Sequence, residues 1–201
     1  CVADAAPAFV VNAAAWTAVD LAESRPDAAA RANEAGPARL AELCAEANLP
    51  LIHLSTDYLF DGAKGAPYVE TDAAHPLGVY GATKLAGEDR IRAAGGKTVI
   101  LRSSGIHGAE GRNFLRALLA AAQKNETLRV VDDQRLCPTS AGDVAKAILG
   151  VVGRIADGWR DSYGGVFHAA SAEGTTWHGF AQAIFAAAAR YGHAVPTVTP
   201  I

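Results

Sequence analysis

Pro50-Leu51-Ile52-His53-Leu54-Ser55-Thr56-Asp57 is a short apolar run that closes on three hydrogen-bonding side chains. Its apolar residues are consecutive rather than alternating with polar ones. That pattern belongs to a strand buried on both faces, as in a parallel sheet. Working outward, Ala8-Phe9-Val10-Val11 ending in Asn12 and Thr98-Val99-Ile100-Leu101-Arg102 repeat it. Further strands are expected at Leu128-Arg129-Val130-Val131 and Val166-Phe167-His168-Ala169. Between them lie helical stretches. The alanine-rich segment Glu23 to Leu49 has an expected break at Gly36-Pro37, where Pro37 suits a first helical turn. Leu40, Leu43, Cys44 and Ala47 then share its inward face. Tyr80 to Ala94 follows a loop running from Asp61 to Gly78. Asn113 to Lys124 is expected to turn Phe114, Leu115, Leu118, Leu119 and Ala122 inward. Ala141 to Ile155 is another helix, and Trp177 to Tyr191 is the last, capped by Thr175 or Thr176. Alternating strands and helices predict a doubly wound α/β fold with one parallel sheet and a small substrate-binding annexe.

Composition narrows the function classes. The 201 residues are 50% hydrophobic, with a formal net charge of −3. A near-neutral chain lacks the clustered basic face that nucleic acid requires. No apolar run approaches the length of a membrane span. Cys1, Cys44 and Cys137 are far apart and form no metal or redox spacing, so a reduced, cytoplasmic setting is expected. The six histidines show no paired metal spacing; His53 and His168 read as core or strand-end residues. The chain opens on Cys1-Val2-Ala3-Asp4 and contains no methionine, which suggests a fragment.

The residues that carry chemistry sit at strand ends and on one helix. Tyr80 and Lys84, in Tyr80-Gly81-Ala82-Thr83-Lys84, share a helix face. A reductase that gives hydride to a ketone must also give a proton to the developing alkoxide. A phenol can supply it, but its ordinary pKa is about 10, and a nearby ammonium is expected to lower it. Tyr-x-x-x-Lys alone is a weak signal, since an exposed tyrosine with a solvated lysine is common. Ser55-Thr56-Asp57 strengthens it, because open α/β sheets bind ligands at the carboxyl ends of their strands. A hydroxyl there can polarise a carbonyl. The small residues Ala13, Ala14 and Ala15 after Asn12 let backbone approach a flat cofactor.

Several blocks together resemble the dTDP-4-dehydrorhamnose reductases. They are Asn12-Ala13-Ala14-Ala15-Trp16, Ser55-Thr56-Asp57-Tyr58-Leu59-Phe60, Tyr80-Gly81-Ala82-Thr83-Lys84-Leu85-Ala86-Gly87-Glu88, Arg102-Ser103-Ser104 and Gly111-Arg112-Asn113-Phe114. The resemblance covers nearly the whole chain. It implies an extended short-chain dehydrogenase that reduces a dTDP-4-keto sugar with NADPH or NADH, with Mg2+ at the contact of a homodimer. It implies Thr56, Tyr80 and Lys84 as catalytic residues. Ala13, Ala14, Ala15, Tyr80 and Lys84 would face the cofactor, and Thr56, Asp57 and Asn113 the substrate. No metal ligand is assigned within the chain. Residues 1–104 would form a partial dinucleotide-binding domain, and residues 105–201 a substrate-binding region interleaved with the last sheet strands.

Some features depart from that pattern. Gly105 stands where the family usually carries a tryptophan that packs on the sugar nucleotide. No glycine-rich phosphate turn precedes Asn12, and the family runs on beyond Ile201, so both ends are expected to be cut. Gly105-Ile106-His107-Gly108-Ala109-Glu110-Gly111 has fingerprint-like spacing, with Asp132 and Asp133 roughly 20 residues later. Its place after Tyr80 and Lys84 favours a substrate loop instead. Two rival readings stay open. One is another sugar-nucleotide reductase or epimerase of the same superfamily. The other is a non-catalytic partner similar to the regulatory subunit of methionine adenosyltransferase.

Overall fold

A computed structural model describes residues 5–201. Cys1 and the opening segment read with it lie outside the described residues. In chain order the main elements are β1 (Val10–Asn12), α1 (Val19–Ser24), α2 (Pro26–Ala30), a π turn (Arg31–Ala35), α3 (Gly36–Glu46), β2 (Leu51–Thr56) and α4 (Val79–Ala93). They continue with β3 (Thr98–Ser103), α5 (Phe114–Ala122), β4 (Thr127–Val130), α6 (Ala141–Ala156), β5 (Gly165–His168), α7 (Trp177–Ala188) and β6 (Thr197–Pro200). Two compact units result, residues 1–103 with 147–169 and residues 104–146 with 170–201.

The first unit is a parallel four-stranded sheet in the order β1-β2-β3-β5. Successive side chains on a strand point to opposite faces, and both faces here are covered. Leu51 and Ile100 pack with Ala41 and Cys44 of α3 and Ile91 of α4. Ile52, Val99 and Leu101 pack on the other side with Ile148, Val151, Val152 and Ile155 of α6. This double burial explains why the strands read as continuous apolar runs. The architecture is the expected doubly wound α/β class.

The alanine-rich stretch breaks elsewhere than expected. The chain leaves helical geometry at Arg25, with φ −134° and ψ 55°, and Pro26 opens the next helix. At Gly36-Pro37 the backbone stays helical. The π turn gives the reason: Gly36 N–H bonds to Arg31 O, and Pro37 lacks the N–H that a regular turn would have needed. The buried face of α3 is Pro37, Ala38, Ala41 and Cys44, with Leu40 packed partly buried against the same cluster and Ala47 exposed.

The second unit has its own core. Leu118 and Ala122 of α5, Val130 of β4 and Phe180, Ala181, Ile184 and Phe185 of α7 are buried together, with Phe114, Leu115 and Leu119 packed against them. Thr176 caps α7, its hydroxyl accepting from Gly179 N–H at 3.0 Å. β4 does not extend the main sheet; it pairs in parallel with β6, from Thr127↔Thr197 to Val130↔Pro200. The fingerprint-like glycines do not form a tight strand-to-helix turn. Ile106-His107 between them pairs in parallel with Thr139-Ser140. Gly105 itself has φ +51°, and a Cβ there would come within 2.6 Å of Leu136 Cδ1. A tryptophan at this position would be strained as well as crowded.

Candidate active site

The carboxyl end of β2 and the first turn of α4 meet in the first unit. Thr56 is the last residue of β2 and Tyr80 the second of α4. The close approach depends on Gly81, where a Cβ would lie 2.2 Å from Tyr58 O. Tyr80 is buried, has the Thr56 hydroxyl among the groups that act on its phenol, and packs edge-on to Tyr58 at a ring separation of 5.5 Å. The Thr56 hydroxyl accepts from Tyr58 N–H at 3.2 Å and lies 3.4 Å from Asp57 Oδ1. Thr56 and Tyr80 are thus brought to one place, as their spacing from the strand end predicts.

Lys84 follows one helical turn later and is only 2% exposed. Its Nζ donates to Leu54 O at 2.7 Å and stands 3.2 Å from His53 Nε2. His53 in turn lies 3.0 Å from Asn12 Nδ2. Burial pulls the Lys84 ammonium down to about 8, against an opposing pull from the Glu88 carboxylate. Burial, then the Lys84 charge, lowers His53 to about 3.

Tyr80 behaves differently from the expectation. Its phenol is raised above its ordinary value, first by burial and then by the Asp57 and Tyr58 charges, with only the Thr56 hydrogen bond pulling it down. The sequence spacing put the ammonium on the same helix face, but the ammonium is turned toward β2 by Leu54 O and His53. A raised phenol remains protonated at neutral pH, which is the form that can donate.

Ala13, Ala14 and Ala15 form the loop after β1, with Ala13 and Ala14 exposed. The loop is held by Ala14 N–H donating to Asn12 Oδ1 at 3.1 Å. It presents nothing larger than a methyl group, which suits the flat face of a nicotinamide. Asn113 belongs to the second unit. There its Oδ1 caps α5 by accepting from Arg116 N–H, and its Nδ2 donates to Gly108 O and Glu110 O. Both of its N–H donors are therefore engaged locally.

Three supporting residues were not singled out from the sequence. Asn33 is fully buried and accepts from Trp16 N–H while donating to Trp16 O and Thr83 Oγ1, tying the loop after β1 to α4. Glu88 and Arg102 form a buried two-pronged ion pair, with Arg102 Nη2 to Glu88 Oε2 at 2.7 Å and Nε to Oε1 at 3.0 Å. Asn33 shows in the sequence only as a lone Asn in an alanine run, while Glu88 and Arg102 stand inside blocks quoted for the resemblance without a role of their own. Among the described residues no three His, Cys, Asp or Glu side chains come together to hold a metal ion. Among the described residues no helix is long and apolar enough to cross a membrane.

The chain is similar to known proteins over most of its length. A dTDP-4-dehydrorhamnose reductase from Sinorhizobium fredii is 43% identical over 182 residues, covering 90% of this chain and 62% of that protein. The crystal structure of a dTDP-4-dehydrorhamnose reductase from Clostridium acetobutylicum superposes with a TM-score of 0.90 at 33% identity, over 100% of this chain and 67% of that one. That of a dTDP-4-dehydrorhamnose reductase from Bacillus anthracis in complex with NADP does so with a TM-score of 0.90 at 30% identity, also over 100% and 67%. This chain therefore spans a little under two thirds of the length of the Sinorhizobium relative. The family described as the RmlD substrate binding domain matches residues 1–201, the full chain, and the chain belongs to that family.

Proposed function

We propose that this protein reduces dTDP-4-dehydro-6-deoxy-L-mannose to dTDP-L-rhamnose, with NADPH or NADH as the hydride source. The observation that carries the reading is the placement of Thr56, at the carboxyl end of β2, beside the buried Tyr80 phenol, with Lys84 one turn beyond. Thr56 holds the C4 carbonyl oxygen of the sugar and polarises it. Tyr80, protonated at working pH, gives its proton to that oxygen as charge develops on it. Lys84 holds the nicotinamide ribose, and Ala13 to Ala15 form the floor for the ring. Asp57 contacts the sugar. Asn113 meets the substrate through the second lone pair of Oδ1, since its donors are engaged. The NADP complex of the Bacillus anthracis protein supports the cofactor class.

The same reading includes a homodimer with magnesium at its contact and a cytoplasmic setting in which Cys44 and Cys137 stay reduced. The test is to mix the full-length protein with NADPH and dTDP-4-dehydro-6-deoxy-L-mannose, following nicotinamide absorbance and product. Cofactor oxidation matched by dTDP-L-rhamnose formation is expected. No oxidation with this substrate, beside oxidation with a different 4-keto sugar nucleotide, would transfer the assignment to another reductase of the superfamily. Binding without turnover of any of them would favour the non-catalytic reading.

A further inference from the structure

Asn12, His53 and Lys84 come from β1, β2 and α4 and form a buried row of hydrogen-bonding side chains. Asn12 Nδ2 lies 3.0 Å from His53 Nδ1, and His53 Nε2 lies 3.2 Å from Lys84 Nζ. A neutral imidazole has one donor nitrogen and one acceptor, while an ammonium has donors only. The row must therefore have a direction.

The direction is set from outside the row. Asn12 Oδ1 accepts from Ala14 N–H, so the Asn12 group that faces the ring is the amide NH2, a donor. His53 Nδ1 must then accept, which puts the ring proton on Nε2, facing Lys84 Nζ. An ammonium there would set donor against donor. An amine fits: its lone pair accepts Nε2–H and one of its own N–H groups donates to Leu54 O. The reverse arrangement fits an ammonium, with Lys84 donating to Nε2 and Nδ1–H donating to Asn12 Oδ1. It requires the Asn12 amide to turn over and give up the bond to Ala14 N–H.

We infer that Lys84 and His53 titrate as one unit, ammonium with the Nδ1–H ring and amine with the Nε2–H ring, and that the loop after β1 selects between them through Asn12. Asn12 and His53 are then positioning residues for Lys84, and anything that alters the Asn12–Ala14 bond alters the charge of the lysine. The charged group facing Lys84 from its own helix is Glu88, which favours the ammonium and is itself engaged by Arg102. From β2 the titratable side chain it meets is His53, and from β1 the row ends in the uncharged Asn12. Burial keeps His53 from becoming imidazolium in the range where Lys84 titrates. A proton lost by Lys84 goes to solvent, so the switch needs no other reactant.

This inference deepens the proposed reduction, in which Lys84 holds the cofactor, but its test needs neither cofactor nor substrate. Nitrogen-15 NMR of the full chain would follow the His53 ring tautomer and the Lys84 side chain across pH. The expected result is a change from Nδ1–H to Nε2–H at the Lys84 midpoint as pH rises, with no imidazolium. A tautomer that stays constant while Lys84 titrates would overturn it. Asn12→Asp, which offers only acceptors to Nδ1, should hold the Nδ1–H ring at every pH. It should also move the Lys84 midpoint up toward its ordinary value of about 10.4. A ring that still changes tautomer in this variant would equally overturn the inference. If the variant fails to fold, the unsubstituted protein decides the matter alone. A turnover assay that fails while the tautomer change is present would count against the reduction and leave the coupling intact.

Discussion

Replacing Tyr80 by phenylalanine should lower the proposed reduction of the 4-keto sugar by about 10²–10⁴-fold, the usual worth of a positioned general acid, while cofactor affinity should change little. The substitution removes one oxygen and keeps the ring. The edge-on packing against Tyr58 and the approach at Gly81 therefore survive. Only the pull of Thr56 on the phenol oxygen and the proton itself go. Because burial raises the phenol, its proton is present across the neutral range, so the loss should be uniform there. Steady-state kinetics with NADPH, beside a cofactor titration of the same variant, check both halves. Turnover within a few-fold of the unsubstituted protein would remove Tyr80 from the chemistry.

Glu88→Ala should cost about 3–5 kcal/mol of unfolding free energy, because it strands a buried cation. Arg102 is 7% exposed and its Nη1 already has no partner, so its charge rests on the two-pronged contact to Glu88. The Phe60 ring, 5.4 Å from the guanidinium carbon, cannot replace a carboxylate. Against a native stability of about 5–15 kcal/mol, this is a large share. Glu88→Gln keeps an acceptor for one prong and should lose less. The joint change Glu88→Leu with Arg102→Met removes both charges and should recover much of the difference. Urea unfolding of the three variants checks the order. A loss below about 1 kcal/mol for Glu88→Ala would mean that water reaches the pair.

What was legible in the sequence follows from how local each signal is. β2 and α4 announce themselves by an apolar run and a helical spacing, so Thr56, Tyr80 and Lys84 could be placed before any coordinates. The break at Arg25 rather than Gly36-Pro37 was hidden, because a π turn lets Pro37 sit inside a continuing helix. The strand Thr127–Val130 could be read as a strand but not assigned to its sheet, since its partner is Thr197–Pro200. That partner carries a proline, which argues against a strand when read alone. In the site, the orientation of Lys84 depends on His53 and Asn12, which lie 31 and 72 positions away in the chain. Periodicity does not report such distances. His53 therefore read as a core histidine, which its burial bears out, while its bond to Lys84 was invisible. The ion pair of Glu88 and Arg102 joins a helix to a strand, and neither residue is unusual within its own segment.

The central claim is that Thr56 and Tyr80 act on one oxygen. The most direct test is a double-mutant cycle of Thr56→Val and Tyr80→Phe read as kcat/KM for the 4-keto sugar. If both groups serve the same oxygen, the double variant should be little worse than Tyr80→Phe alone. Losses that simply multiply would show two independent groups and contradict the account.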